Sequence, residues 1–297
     1  MPPFLRWTIA IGLVGLAVFW YVTRPDPLPQ EALSGMSADA EAGEQVFLAA
    51  GCASCHEAPE GSAEDGPPVL AGGMRFPSDF GTFIAPNISS DPIQGIGNWS
   101  DIELVNAIQR GISPEGEHYY PAFPYDAYGK AETADILNLI AYLRTLPAAD
   151  TPSQPHEVGF PFNIRRSLGG WKMLFVSPDW AVRGTLKPEL ARGRYLVEAL
   201  AHCGACHTPR NILGGPDASR WLAGAPNPDG KGRAPNITPG ALDWSEAEIV
   251  EYLTSGFTPE FDTAGGHMVA VIEKLSKLPQ GDRESIAMYL KAVAPIP

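Results

Sequence analysis

All four cysteines of this chain lie in two motifs of the same form, and this feature constrains the fold more than any other. The motifs are Cys52-Ala-Ser-Cys55-His56 and Cys203-Gly-Ala-Cys206-His207. In each motif one turn of chain presents two thiols, and an imidazole follows directly. No cysteine remains for a disulfide elsewhere in the 297 residues. What the two motifs bind therefore decides how the rest of the chain is read.

This spacing suits covalent attachment of haem. Two thiols can bond the two vinyl groups of one porphyrin, while the next residue places an imidazole under the iron. Two other interpretations exist, namely a pair of redox-active dithiols and one zinc site built from both motifs. Neither explains a histidine directly after each pair. We therefore expect two haem c groups, with this set of attachment residues and proximal iron ligands: Cys52, Cys55, Cys203, Cys206, His56 and His207.

The N-terminus contains one apolar segment. No residue from Trp7 to Tyr21 is charged, and with its neighbours the run reaches about 20 residues, enough to span a hydrocarbon core at ~1.5 Å per residue. It is too long for a signal peptide and no small-residue cleavage site follows closely, so an uncleaved anchor is favoured over a cleaved signal. Because haem c is attached outside the cytoplasm, we expect a single-pass protein of the inner membrane with residues 25–297 in the periplasm.

An internal repeat predicts two copies of one domain. The segment 85–89 (Ala-Pro-Asn-Ile-Ser) recurs at 234–238, and the segment 99–103 (Trp-Ser-Asp-Ile-Glu) recurs at 244–248, an offset of 145 residues for the second pair. In both copies Ser and Glu three positions apart form a capping box, and a glycine follows where a helix would end. Each copy therefore holds one haem and one such helix.

The predicted secondary structure is all-α. The capped helices run from Ser100 to Gly111 and from Ser245 to Gly256, each with a buried apolar stripe. A second helix closes each copy near 133–145 and 281–292. No convincing alternating strand is visible in the sequence.

These observations divide the chain into five parts. Residues 1–24 are the predicted transmembrane anchor, and 25–36, with three prolines, a short solvated tether. The haem domains are expected at 37–147, which would hold haem 1, and at 186–297, which would hold haem 2. Between them, residues 148–185 are too rich in Pro and aromatic side chains for a free linker, so we expect an ordered strap packed across both domains.

The landmarks resemble those of a known family. The repeat, together with the segments 192–197 (Arg-Gly-Arg-Tyr-Leu-Val), 202–210 (His-Cys-Gly-Ala-Cys-His-Thr-Pro-Arg) and 160–163 (Phe-Pro-Phe-Asn), resembles the multihaem cytochrome c subunits of membrane-bound periplasmic dehydrogenases of the alcohol and gluconate type. The resemblance covers nearly all of 40–297, although such subunits typically carry three haems. It implies a dihaem electron carrier with two tandem class I cytochrome c domains, each iron held by His below and Met above.

The distal ligands differ between the two copies. Met268 lies twelve residues after Gly256, where such cytochromes place the sulfur ligand, and it is expected to ligate haem 2, with His267 as its competitor. The same count after Gly111 reaches Phe123, which cannot ligate iron. Haem 1 therefore needs His118, Met74 or an unusual or vacant distal site.

This asymmetry predicts a direction of electron flow. Since Met ligation raises the potential of haem, haem 1 should lie lower than haem 2, and electrons should pass from haem 1 to haem 2. Four repeated side chains are candidate donors to the haem propionates, although core packing explains the tryptophans equally well. They are Trp99, Trp244, Asn87 and Asn236.

The charge and the residue types of the chain argue against some classes of partner and activity. A net charge of −13 argues against nucleic acid, and no cluster of acid, base and nucleophile suggests catalysis. The expected function is an electron relay from a periplasmic dehydrogenase to a respiratory acceptor such as an oxidase or another cytochrome. The alternative is a dihaem enzyme of the peroxidase or thiosulfate oxidase type, which uses haem 1 as its open site.

Overall fold

The computed structural model describes residues 2–58, 66–227 and 230–297, and this part of the chain is mainly helical. The helices are α1 Pro3–Val22, α2 Ala40–Ala50, α3 Ala53–His56, α4 Asp101–Val105, α5 Tyr125–Tyr128, α6 Thr133–Leu143, α7 Ser167–Phe175, α8 Pro188–Tyr195, α9 Gly204–His207, α10 Glu246–Ser255, α11 Met268–Leu275 and α12 Gln280–Ala292. Two helices continue as π-helical turns, α4 into Asn106–Arg110 and α8 into Leu196–Leu200. Short 3₁₀ turns occur at Gln30–Leu33 and Ala218–Arg220.

Two short antiparallel hairpins correct the expectation that the chain has no strands. Strands β1 (Arg75–Ser78) and β2 (Gly81–Ile84) pair with Arg75 opposite Ile84. Strands β3 (Ala225–Pro226) and β4 (Arg233–Ala234) pair with Ala225 opposite Ala234. They contain only four and two residues each, too few for a period-two pattern to stand out in the sequence.

The same order of elements occurs twice. We call residues 37–147 the first half and residues 186–297 the second half. Each half runs from a leading helix through a motif helix, a hairpin and a capped helix to a terminal helix. In each half the leading helix packs on the terminal one, α2 on α6 and α8 on α12. The repeat seen in the sequence is therefore also a repeat of contacts.

One glycine in each half allows this packing. A Cβ on Gly43 of α2 would lie 1.9 Å from the carbonyl oxygen of Asn138 in α6. A Cβ on Gly193 of α8 would lie 1.9 Å from the carbonyl oxygen of Ser285 in α12. The helices cross so closely that only hydrogen fits at these positions.

The predicted helix boundaries are confirmed at the capped helices. Capping boxes are formed by Ser100 with Glu103 and by Ser245 with Glu248. The helical segments end at Gly111 and Gly256, which adopt the left-handed conformation with φ of 59° and 79°. Their buried side chains, Leu104, Val105, Ile108, Ile249 and Leu253, belong to the hydrophobic core.

A buried carboxylate joins the two halves. Glu198, fully buried in the second half, accepts hydrogen bonds from the Ala181 backbone N–H at 2.7 Å and from the Tyr289 hydroxyl. The ammonium of Lys130 in the first half lies 3.4 Å from the same carboxylate. A buried charge is tolerated when donors and an opposite charge surround it, so Glu198 bonds both halves and the intervening segment at one point.

The segment between the halves, residues 148–185, contacts both of them. Its Glu157 forms a β-bridge with Thr82 of the first half. Its Trp171 indole donates to the Leu213 carbonyl of the second half at 2.9 Å. However, Phe160 is largely exposed, and Phe162 is also exposed although its ring packs edge-on against Phe80 of the first half, with 5.0 Å between the ring centres.

The segment 25–36, expected to be a solvated tether, is mostly exposed but is docked on the first half. The backbone N–H of Leu28 donates to the Asn106 amide oxygen at 2.6 Å, and the Asn106 amide donates back to the Leu28 carbonyl at 3.1 Å. Leu28 and Leu33 also pack against the core. Prolines make this segment extended, but side chains 78 residues away hold it in place.

The N-terminal helix α1 has the length and composition of a membrane span. It contains 20 residues, an 18-residue stretch of it has a mean hydropathy of 1.7, and none of its residues is buried. A signal sequence would satisfy the same criteria. Helix α1 is the sole candidate span in the described ranges 2–58, 66–227 and 230–297.

The close helix crossings give a test of the repeat. Replacing Gly193 by Ala, or Gly43 by Ala, should destabilise the fold by about 1–3 kcal/mol or more, because a methyl group must displace backbone. Gly281→Ala is the matched control, since Gly281 lies in α12 with nothing within 4 Å of its added Cβ. That change should be neutral or stabilise by up to ~1 kcal/mol. Thermal unfolding followed by far-ultraviolet circular dichroism measures both, and equal melting temperatures for all three variants would contradict the packing described.

Candidate functional site

Both cysteine motifs fold as a single helical turn. The helices α3 and α9 begin directly after the first cysteine of each motif and end on the histidine. None of the four cysteines forms a disulfide. In the described part of the chain no three His, Cys, Asp or Glu side chains converge to hold a metal ion, so the zinc interpretation finds no such cluster there.

The two motif histidines are held in the same way. The Nδ1–H of His56 donates to the Pro86 carbonyl at 2.9 Å, and the Nδ1–H of His207 donates to the Pro235 carbonyl at 2.8 Å. Since a carbonyl can only accept, Nδ1 must carry the proton in both rings, and the lone pair is on Nε2. Desolvation lowers the pKa of both histidines, which favours the neutral ring. A neutral, oriented imidazole with Nε2 available is what a metal needs as a ligand.

A matched loop presents the accepting carbonyl in each half. In the first half Gly72 N–H donates to the His56 carbonyl at 2.8 Å, and in the second half Gly224 N–H donates to the His207 carbonyl at 2.7 Å. A Cβ on Gly72 would lie 2.5 Å from the carbonyls of Ala85 and Pro86. Gly72 and Gly224 end the matching Leu-Ala-Gly segments 70–72 and 222–224, and each lies directly against the loop that carries the accepting carbonyl.

The second motif has a neighbour that the sequence did not reveal. A Cβ on Gly204 would lie 2.2 Å from the indole ring of Trp221, so the ring lies directly against the motif backbone. The first motif has Ala53 at the matching position. A small residue inside a motif was the signal that a large side chain covers it.

The side chains of both repeated asparagines bond to backbone carbonyls. Both N–H groups of the Asn87 amide donate to backbone carbonyls, those of Ala149 and Thr151, each at 2.8 Å. The Asn236 amide donates to the Ile296 carbonyl at 2.7 Å. Asn87 therefore has no donor left for a propionate, and both side chains tie the loop to the segment that follows the terminal helix. Trp99 and Trp244 are partly buried against the core, and no contact tests their predicted role.

The loops that should supply the distal ligands start identically. Tyr119 N–H donates to the Gly111 carbonyl, and Ala264 N–H donates to the Gly256 carbonyl, both at 2.8 Å. These contacts align the two loops at an offset of 145 residues, which places Phe123 opposite Met268. Both side chains are partly buried and pack against the core.

His118 lies at the end of α1. Its Nε2–H donates to the Thr23 carbonyl at 2.9 Å, and its own carbonyl accepts from Arg165 at 3.2 Å. Only Nδ1, which is buried and has no partner among the described residues, is left for a metal. The structure thus assigns His118 to the junction with α1 and does not support its predicted role as a haem 1 ligand.

Among the other candidate ligands, Met74 is also poorly placed. The Met74 carbonyl accepts from Ala85 N–H at 2.9 Å, so Met74 lies beside the loop that holds His56. A distal ligand has to approach the iron from the face opposite His56, which argues against Met74. His267 is exposed at the start of α11, directly before Met268.

The two motifs face each other across the contact between the halves. The Ser54 hydroxyl, inside the first motif, donates to the Ala270 carbonyl in α11 at 3.5 Å. His202, directly before the second motif, donates through Nε2 to the Ala50 carbonyl at 3.3 Å. Desolvation and, second, the nearby charge of Cys206 raise the pKa of Cys55 to about 11. The bound groups would therefore be neighbours.

Comparison of the sequence with known proteins gives one family match and several relatives. The cytochrome c family profile matches residues 40–147. The chain is 53% identical to a dihaem cytochrome c-type protein of Cereibacter sphaeroides over 97% of both chains. It is 37% identical to the fructose dehydrogenase cytochrome subunit of Gluconobacter japonicus, over 96% of this chain and 58% of that one. It is 33% identical to the gluconate 2-dehydrogenase cytochrome c subunit of Pantoea cypripedii, over 84% and 58%. The chain thus spans little more than half of the two dehydrogenase subunits.

The proximal loops can be tested with matched glycine variants. Gly72→Ala should displace the Pro86 carbonyl and change the optical spectrum or midpoint potential of one haem, and Gly224→Ala should change the other. Gly116→Ala is the control, because Gly116 also has positive φ but nothing within 4 Å of its added Cβ. The cost of the left-handed conformation, about 1–2 kcal/mol, is common to all three. Spectra of Gly72→Ala indistinguishable from those of Gly116→Ala would contradict the role of this loop.

Proposed function

The chain belongs to the cytochrome c family and binds two covalent haem c groups, and on this premise we propose that it is a membrane-anchored electron relay in the periplasm. Each half forms one class I cytochrome c domain, with boundaries at 37–147 and 186–297, and residues 148–185 strap them together. The helix α1 anchors the chain in the cytoplasmic membrane.

The proposed attachment sites are the two motifs. Cys52 and Cys55 form thioethers with one haem, and Cys203 and Cys206 with the other. His56 and His207 ligate the iron through Nε2. When bound, each haem supplies one-electron chemistry, and the protein supplies its orientation and ligands.

One observation carries this proposal: both histidines donate Nδ1–H to a proline carbonyl, in motifs that face each other. The bond to the carbonyl prevents ring rotation and fixes which nitrogen is left for iron. The facing motifs would keep the path between the two sites short. An isolated structural dithiol needs neither feature.

The distal positions set the direction. Met268 is the proposed sixth ligand at the second site, where sulfur raises the midpoint potential. Phe123 occupies the matching position at the first site and has no atom that ligates iron. The first site should therefore lie lower in potential, so that electrons enter at the first half and leave from the second.

The comparisons suggest the kind of partner. Three kinds of relative are cytochrome subunits of fructose, alcohol and gluconate dehydrogenases. We therefore propose a periplasmic dehydrogenase as donor and a respiratory oxidase or another cytochrome as acceptor. Purification of the native membrane complex, followed by identification of its subunits, tests this pairing.

The absence of sulfur at position 123 also favours a second candidate function. If the first site is open, it could bind a small ligand, as in a dihaem peroxidase or thiosulfate oxidase. A high-spin ferric spectrum and carbon monoxide binding by the reduced protein would favour the enzyme. Two low-spin haems would favour the relay.

Removing the proposed sulfur ligand should change only one site. Met268→Ala should abolish the sulfur-to-iron charge-transfer band and lower the higher midpoint potential, within the roughly 0.8 V range that axial ligands span. Met288→Ala, which alters another partly buried methionine of the second half, should leave both properties intact. A redox titration with the higher midpoint unchanged in Met268→Ala would show that Met268 is not the ligand.

Adding sulfur to the first half is the complementary experiment. Phe123→Met should create a second charge-transfer band, raise the lower midpoint potential and suppress carbon monoxide binding. Phe123→Leu removes the ring without supplying sulfur, so it should do none of these. The alignment of Phe123 with Met268 would be wrong if both variants behaved alike.

A further inference from the structure

The strap exposes apolar side chains that the haem sites do not explain. Phe160 is 81% exposed, Met173 66% and Leu174 70%, and Phe162 and Ile164 are exposed as well. We propose that these five side chains form a membrane-contact face, which lies in the boundary between the headgroups and the acyl chains of the bilayer beside α1. This inference deepens the proposed function and rests on α1 as the anchor.

The start of α7 contacts the end of α1. A Cβ on Gly169 would lie 2.2 Å from the Thr23 carbonyl oxygen, so the two backbones touch. The guanidinium of Arg166 donates to the Thr23 hydroxyl at 3.2 Å and lies 4.5 Å from the centre of the Trp20 ring. Thr23 is only 2% exposed as a result. The start of α7 is thus attached to the point where α1 ends.

The helical periodicity of α7 extends the face that contacts α1. Met173 and Leu174 follow Gly169 and Gly170 by four positions, so they lie on the same face, one helical turn further along. The face of α7 that touches α1 therefore continues as an exposed apolar pair. Nothing else in the described residues covers it.

The last turn of α1 sets the depth of this face relative to the lipid headgroups. The last turn of α1 contains Trp20 and Tyr21, and such aromatic residues lie at the headgroup level of membrane-spanning helices. Because Arg166 stacks on Trp20, the start of α7 is held at the same level. An apolar face beginning there meets lipid, and not bulk water.

The segment that contains this face has no acidic residues. Residues 158–178 contain no Asp or Glu, although the chain has 34 such residues and a net charge of −13. Three basic residues, Arg165, Arg166 and Lys172, lie in the same stretch. A segment without carboxylates can approach anionic headgroups without repulsion, as in helices that lie in the membrane interface. Continuity with α1 favours lipid over a protein partner as the occupant.

Two contacts with the bilayer fix the orientation of the haem domains, which a single helix does not. A single helix followed by a hinge leaves the haem domains free to tilt. A docked junction and a second apolar contact define their orientation relative to the membrane surface, and hence the direction in which each site faces its partner.

The test uses the full-length protein in nanodiscs of phosphatidylcholine and phosphatidylglycerol. A phospholipid carrying a diazirine near the glycerol end of its acyl chain is photolysed, and lipid adducts are mapped by mass spectrometry. Adducts are expected both on α1 and within residues 160–174. The double variant Met173→Lys, Leu174→Lys should lose adducts in that segment several-fold, with α1 labelled as before. Ile93→Lys is the matched control, since Ile93 is an exposed apolar residue in a loop of the first half, and it should change nothing.

The outcomes separate this inference from the proposed anchor. Adducts on α1 alone would overturn the membrane-contact face and leave the anchor intact, with the face then available to a protein partner. Adducts on neither would overturn both. Haem spectra and circular dichroism check the folding of each variant, and if the double variant fails to fold, the adduct map of the unsubstituted protein decides.

Discussion

The hydrogen bond from each motif histidine to a proline carbonyl is the constraint on which the rest of this structure depends. His56 bonds Pro86 and His207 bonds Pro235 at nearly equal distances. In both halves a glycine lies against the residue that supplies this carbonyl, Gly72 against Pro86 and Gly224 against Pro235. The two halves therefore share the contacts that orient the motif histidine.

What the sequence predicted correctly depends on residues near each other in the chain. The motifs, the capping boxes and the glycines that end the helices are signals within a few residues, and all were recognisable. The errors involve distant partners. Leu28 bonds Asn106, 78 residues away, and His118 bonds Thr23, 95 residues away. No local pattern reveals that a proline-rich tether is docked or that a buried histidine belongs to another junction.

The two halves share the contacts of their motif histidines and differ at the proposed distal position. The hydrogen bonds of Tyr119 and Ala264 show that the loops begin alike, and the difference arises at Phe123 and Met268. An aromatic ring can fill the space of a methionine side chain while removing its sulfur. One substitution can therefore separate the potentials of two otherwise matched sites without disturbing the fold of either.

The interface between the halves matters because electron transfer weakens steeply with distance. Ser54 touches α11, which begins with Met268, and His202 touches the end of α2. Glu198 holds this arrangement through donors from both halves and the strap, and its desolvation is offset because those donors converge on one carboxylate. If the proposed membrane-contact face also holds the strap against the bilayer, the same segment sets both the spacing of the two sites and their orientation towards the membrane. Relay function would then belong to the assembled pair, since neither half contains the path between the sites.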